Sequence, residues 1–141
     1  MSYKIAALPQ TLVQPVWPLI VEHLERVVAL VSDETTIEHI LERALSGEVL
    51  IIVISKGETI VAALTADIRT YDTGLSALHI PHLGGEDFDE WRDQLDSVLY
   101  AIAKDFNCNQ LRIVGRRGWV KALKDLGWEE QYVVLKKDIG V

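Results

Sequence analysis

Leu111 to Trp128 reads Leu-Arg-Ile-Val-Gly-Arg-Arg-Gly-Trp-Val-Lys-Ala-Leu-Lys-Asp-Leu-Gly-Trp. Within eighteen residues it spells a strand, a tight basic turn, a short helix and a glycine exit. Leu111, Ile113 and Val114 are strand formers that stop at Gly115, and Trp119 to Leu126 is helix-spaced. Gly127 suits the left-handed residue through which a helix ends. Arg112, Arg116, Arg117, Lys121 and Lys124 make this the one concentrated positive segment of a chain with formal net charge -7.

Upstream of it, Phe88, Trp91, Leu95, Val98, Leu99, Ile102, Ala103 and Phe106 fall on one side of a long helix. Asp87 and Glu90 have capping-pair spacing at its start. Before that helix lie three strands of a meander. Val49–Ile54 is a continuous apolar run expected of a strand covered on both faces, Ile60–Tyr71 returns after Lys56-Gly57, and Leu75–Ile80 follows Asp72-Thr73-Gly74. Pro81 is expected to end the third strand or to force an edge or bulge, with His82–Gly85 as a loop.

Toward the N-terminus, Tyr3–Leu8 predicts a first strand and Pro18 a first helical position. The helix continues through Ile20, Leu24, Val27, Val28 and Val31, and a second, with Thr35 and Glu38 as a capping box, runs to Gly47. Gln131–Asp138 predicts a closing strand. The expected architecture is a single α+β domain over residues 1–141, in the order β-α-α-β-β-β-α-β-α-β, with helices on both faces of a mixed sheet.

The totals narrow the function. A hydrophobic fraction of 49% with 25% charged residues is that of an ordinary globular domain. The longest apolar run falls far short of the ~20 residues that span a bilayer. Prolines near the N-terminus interrupt any secretory signal, and the lone Cys108 closes no intrachain disulfide, so a cytoplasmic setting is expected. A pI near 5.0 argues against nucleic acid as a partner, and no membrane partner is expected.

Two groups of residues invite chemistry. His79 and His82 flank Pro81 and offer a general base, although a regular strand would put residues three apart on opposite faces. No cysteine lies near to complete a metal set, and none is expected. The basic turn has three readings: a solvated loop, an anion site, or a docking site. Arg116, Arg117, Trp119 and Lys121 are its candidate interaction residues, because arginine beside tryptophan is the chemistry of interface hot spots. The acidic run Glu86–Asp96 on a second copy is a complementary partner, so self-association or a protein partner is expected. His23 and His39 sit among charged residues and read as solvated.

The element order, together with Ala122–Trp128 and the following Tyr132-Val133-Val134-Leu135-Lys136-Lys137, resembles the GCN5-related N-acetyltransferases. The turn Gly115–Trp119 is similar to that of small acetyltransferase-like proteins of tailed bacteriophages, which would place the protein in a host cytoplasm or a virion. The resemblance implies an acetyl-CoA site where the third meander strand meets the long helix, with a Gln/Arg-x-x-Gly-x-Gly/Ala motif. Here that junction reads Ile80-Pro81-His82-Leu83-Gly84-Gly85-Glu86-Asp87, without the motif and with carboxylates in its place. The tyrosine the family uses as general acid falls at Leu123, and its asparagine at about Arg116. These departures imply a non-catalytic, diverged protein-interaction module with no cofactor. The alternative is an active N-acetyltransferase using acetyl-CoA and a backbone amide near Leu78–Ile80 for the oxyanion. A second alternative is an anion or nucleic-acid binder working through the basic turn.

Overall fold

A computed structural model describes residues 2–115 and 118–140. Five strands form one sheet in sequence order: β1 (Tyr3–Ala7), β2 (Leu50–Lys56), β3 (Thr59–Thr70), β4 (Ser76–Gly85) and β5 (Gln110–Ile113). The first four pair antiparallel. β5 pairs parallel to β4 after a crossover through the helix α3 (Phe88–Asp105). The helices α1 (Gln10–Val28) and α2 (Ile37–Ser46) precede β2, and α4 (Gly118–Leu123) follows β5. This is the expected α+β arrangement, with helices on both faces.

The alternation of side chains along β2 and β3 divides the core in two. Ile52, Ile54, Ala62, Leu64 and Ala66 face α3, where they meet Trp91, Leu95 and Leu99. Ile51 and Ala63 face the other way, onto Trp17, Ile20 and Leu24 of α1 and Ile40 and Ala44 of α2. Each fully buried leucine or isoleucine in these layers contributes on the order of 2 kcal/mol. Small residues let helix and sheet approach closely. A Cβ added to Gly84 of β4 would stand 2.2 Å from the His23 carbonyl oxygen of α1.

Several expected boundaries move. α1 starts at Gln10, not Pro18, and carries Pro15 and Pro18 inside it. Both prolines lie on its exposed face, where water meets the carbonyls left without a donor. Val13 and Trp17 thereby extend the buried stripe by two turns. The N-cap of α2 is Thr36, whose Oγ1 accepts from the His39 amide at 3.2 Å, so the expected Thr35–Glu38 box is displaced by one residue. His23 is not free in solvent, because its Nε2 lies 2.9 Å from the Ile60 carbonyl oxygen. Gly47 and Gly127 do close their helices in the left-handed region.

The expected last strand, Gln131–Asp138, does not form. Trp128 Nε1 donates to Asp96 of α3 at 2.7 Å, and Lys136 Nζ donates to Asp33, in the turn after α1, at 3.0 Å. With these anchors at Trp128 and Lys136, the segment between them joins no strand of the sheet. Val134 and Leu135 are left 80% and 90% exposed. Among the described residues no helix is long and apolar enough to cross a membrane.

Candidate active site

β4 continues through Pro81 to Gly85, so the expected His82–Gly85 loop is strand. Thr65 pairs with His82 and Asp67 with His79. Between these pairs β3 spends two steps and β4 three, which is a bulge with the extra residue in β4. The bulge resets the alternation. Ile80 and Leu83 both face the α3 core, and His79 and His82 both face α1 and α2, where a regular strand would have parted them.

His79 Nδ1 lies 3.1 Å from Asp67 Oδ1, and Arg69 Nε donates to the same oxygen at 3.1 Å. Burial raises the Asp67 carboxyl pKa, but the hydrogen bonds from His79 and Arg69 outweigh it and hold the group below the usual carboxylate range. An ionised Asp67 only accepts, so His79 donates from Nδ1, and in the neutral ring the lone pair is on Nε2. His82 Nδ1 lies 3.1 Å from Thr65 Oγ1. Burial first, and then the neighbouring positive charges of His79 and Arg43, keep His82 below the ordinary histidine range. The two imidazoles thus divide their roles, one coupled to a carboxylate and the other held neutral. Thr65 and Asp67 were not singled out by the sequence. The signal was Pro81 between two histidines inside a strand.

β5 leaves β4 beside these histidines. The last ladder pair is Ile80 with Ile113, and the Val114 amide still donates to the Ile80 carbonyl at 3.0 Å. Leu78–Ile80 is therefore occupied by pairing, and the stretch open on the β5 side begins at Pro81. Since Pro81 has no N–H, a backbone donor for an oxyanion would come from 82–85 and not from the expected Leu78–Ile80.

A cleft opens at each end of β4. At its C-terminal end, about 240 Å³ is lined by Leu83, Gly84, Gly85, Phe88, Trp91 and Trp119, with Arg26 and Leu30 at the α1 side. Phe88 stacks edge-on against both Trp91 (5.0 Å) and Trp119 (4.6 Å). At the N-terminal end, about 310 Å³ lies between the start of α1, the α2–β2 connection and β3, with Asp67 in its wall.

The first cleft suits half of the acetyl-CoA that this fold implies. Its apolar, aromatic wall at the end of β4 fits a pantetheine arm. The diphosphate end does not fit. Glu86, Asp87, Asp89 and Glu90 surround the start of α3, and the Tyr3 hydroxyl donates to Glu90 at 2.7 Å and to Asp87 at 3.2 Å. Asp87 occupies the cap position in the left-handed region and makes no side-chain cap, contrary to the expected Asp87–Glu90 pair. Arg92 is turned to α4, where it grips both oxygens of Asp125 at 3.1 Å. Gly84 and Gly85 are glycines because α1 and Ala62 press on them, not to cradle phosphate.

Of the candidate interaction residues, Arg116 and Arg117 lie outside the described residues. Lys121 is exposed on α4, and Trp119 is half-buried in the cleft wall, with its indole against Gly115. Arg112 stacks over the Tyr71 ring at 4.4 Å. Leu123, at the position of the family's acid, is buried core.

The strand order and the crossover define the fold of the GCN5-related N-acetyltransferases. The chain is similar to an aminoglycoside acetyltransferase from an uncultured soil metagenomic sample, at TM-score 0.67 and 16% identity, over 98% of this chain and 97% of that one. It is also similar to glucosamine-6-phosphate N-acetyltransferase from Arabidopsis thaliana, at TM-score 0.66 and 14% identity, over 99% and 100%. A predicted acetyltransferase with acetyl-CoA from Clostridium acetobutylicum matches at TM-score 0.65 and 10% identity, over 98% and 97%. No family model matches the sequence, and no curated protein matches it.

Proposed function

We propose that the protein is an N-acyltransferase that moves an acyl group from a pantetheine thioester such as acetyl-CoA to an amine, with His79 as general base and Asp67 as the residue that orients it. The observation that carries this reading is the β4 bulge. It sets a carboxylate-coupled histidine beside a neutral one at the point where β5 leaves, with Asp67 in the wall of one cleft and Leu83, next to His82, in the wall of the other. The acetyltransferases among the similar folds support it over a purely interacting role.

A bound thioester would supply the acyl carbon, so that an N–C bond replaces a C–S bond and the proton lost by the amine ends on the departing sulfur. The protein's part is to receive that proton at His79 Nε2 while Asp67 holds Nδ1–H. The apolar wall of Leu83, Phe88 and Trp119 excludes water from the reacting face. Buried Leu123 offers no proton to the leaving group, which leaves His79 to deliver the one it has taken.

Two measurements test the reading together: calorimetric titration with acetyl-CoA, and thiol release in the presence of a panel of amines. Saturable binding and amine-dependent thiol release are expected, with His79→Ala lowering kcat by roughly 10²–10⁴-fold. Absence of both binding and thiol release overturns it, and returns the protein to a docking role through the Arg116–Lys121 segment.

A further inference from the structure

The cleft at the N-terminal end of β4 has a chemistry of its own. β2 stops pairing at Leu50–Ala66, so β3 from Asp67 onward is uncovered on that side. The space there is closed by Val13 of α1, Ala44 of α2 and Phe106 at the end of α3. Two of its lining residues, Asp67 and Glu48, carry carboxylates, and no lysine, arginine or histidine lines it. Both hydrogen bonds to Asp67 fall on Oδ1. Oδ2 has no bonded partner among the described residues, and no buried side-chain polar atom among them lacks one, so Oδ2 is accessible, on a residue that lines the cleft.

Resting on the acyltransferase reading, we propose that this cleft is the acceptor site and that it takes a primary amine carried on a compact apolar body, such as an arylalkylamine. Its ammonium is drawn by Asp67 Oδ2 and Glu48, and its ring or alkyl part lies against Val13, Ala44 and Phe106. His79 does not line the cleft but is hydrogen-bonded to the carboxylate that draws the nitrogen, and it takes the proton as the amine passes from Asp67 toward the thioester. The volume of about 310 Å³ is at the small end for ligand sites, roughly 300–1,000 Å³, and admits one ring with a short arm but not a chain of linked amino sugars. Asp67 is already paired with Arg69, so the repulsion of a phosphorylated amine comes chiefly from Glu48.

The test uses the full chain with acetyl-CoA as donor and three acceptors: 2-phenylethylamine, the neutral isostere 2-phenylethanol as a binding probe, and glucosamine 6-phosphate. Calorimetry is expected to show 2-phenylethylamine binding at least tenfold more tightly than 2-phenylethanol. Glu48→Gln, a change at an exposed residue, is expected to weaken the amine several-fold and leave the alcohol unchanged. Acetylation of glucosamine 6-phosphate but not of 2-phenylethylamine overturns the acceptor assignment and leaves acyl transfer standing. Amine binding sensitive to Glu48→Gln, with no transfer to any amine, overturns acyl transfer and leaves the binding site. Equal binding of amine and alcohol overturns the assignment whatever the turnover.

Discussion

His79 Nδ1 and Asp67 Oδ1 face each other at 3.1 Å across the β3–β4 ladder, as directly paired residues of neighbouring strands. The contact is set by strand register and not by a flexible loop, so the imidazole has one orientation and one tautomer. Arg69 supports the same oxygen from two residues along β3.

Replacing Asp67 by asparagine lets the new side chain present either an acceptor or a donor to Nδ1 and releases the tautomer. At saturating amine, kcat is expected to fall on the order of 10²-fold, because an orienting partner of a base is lost while the base remains. Rates at saturation separate this loss from any change in amine affinity. An unchanged kcat would show that Asp67 does not orient the base.

Acid should weaken the fold in two separate steps. His82 is held below the ordinary histidine value by burial and by neighbouring charge. The unfolded chain takes up a proton near pH 6.5 that the folded chain refuses, so stability declines as pH drops below that value. The Asp67 carboxyl, held low by His79 and Arg69, contributes in full above the ordinary value near 3.9 and loses its contribution only as pH falls further. Urea midpoints between pH 8 and 5 should therefore drop for the wild type and drop less for His82→Asn. Parallel curves would show that another group governs that window.

Two glycines should respond oppositely to alanine. At Gly84 the new methyl would lie 2.2 Å from a backbone oxygen of α1 and 2.7 Å from Val27 Cγ2, so helix and strand must separate. A loss of ~3 kcal/mol is expected, at the upper end of overpacking costs. At Gly118, in the first turn of α4, nothing lies within 4 Å. Alanine there restricts the unfolded chain and is expected to add about 0.5 kcal/mol. Denaturant unfolding of both variants reads the contrast.

The exposed carboxylates at the start of α3 should discriminate between donors. Glu86→Gln with Asp89→Asn removes repulsion at the diphosphate end, so acetyl-CoA should bind several-fold more tightly at low salt and less so at high salt. S-acetylpantetheine, which lacks the diphosphate, should bind as before. Calorimetry with both donors makes the comparison, and an equal gain for the two would place the diphosphate elsewhere.

Much of the fold was legible because apolar spacing and turn chemistry agree. The α3 stripe, the strands β2 and β3, the start of β4, Gly47 and Gly127 stand where the sequence puts them. Proline divided the local reading. Pro15 and Pro18 are tolerated inside α1 because their side faces water, against expectation, whereas Pro81 does sit in a bulge, one of its expected outcomes. The closing strand failed for a tertiary reason, since Trp128 and Lys136 tie the segment to Asp96 and Asp33. The histidines could be named from sequence. Their shared face could not, because it depends on a count of residues against the opposite strand.

That count gives Pro81 an importance out of proportion to its chemistry. It works as a frame marker in a strand read two residues at a time. Deleting it would leave an alternating strand in which His79 and His82, then two residues apart, stay on the α1 side and Ile80 and Leu83 stay on the α3 side; drawing it into the alternation instead would turn His82 into the α3 core and Leu83 toward α1. Flattening the bulge, with no change in any residue that touches substrate, would disassemble the histidine pair and the aromatic cleft in a single step.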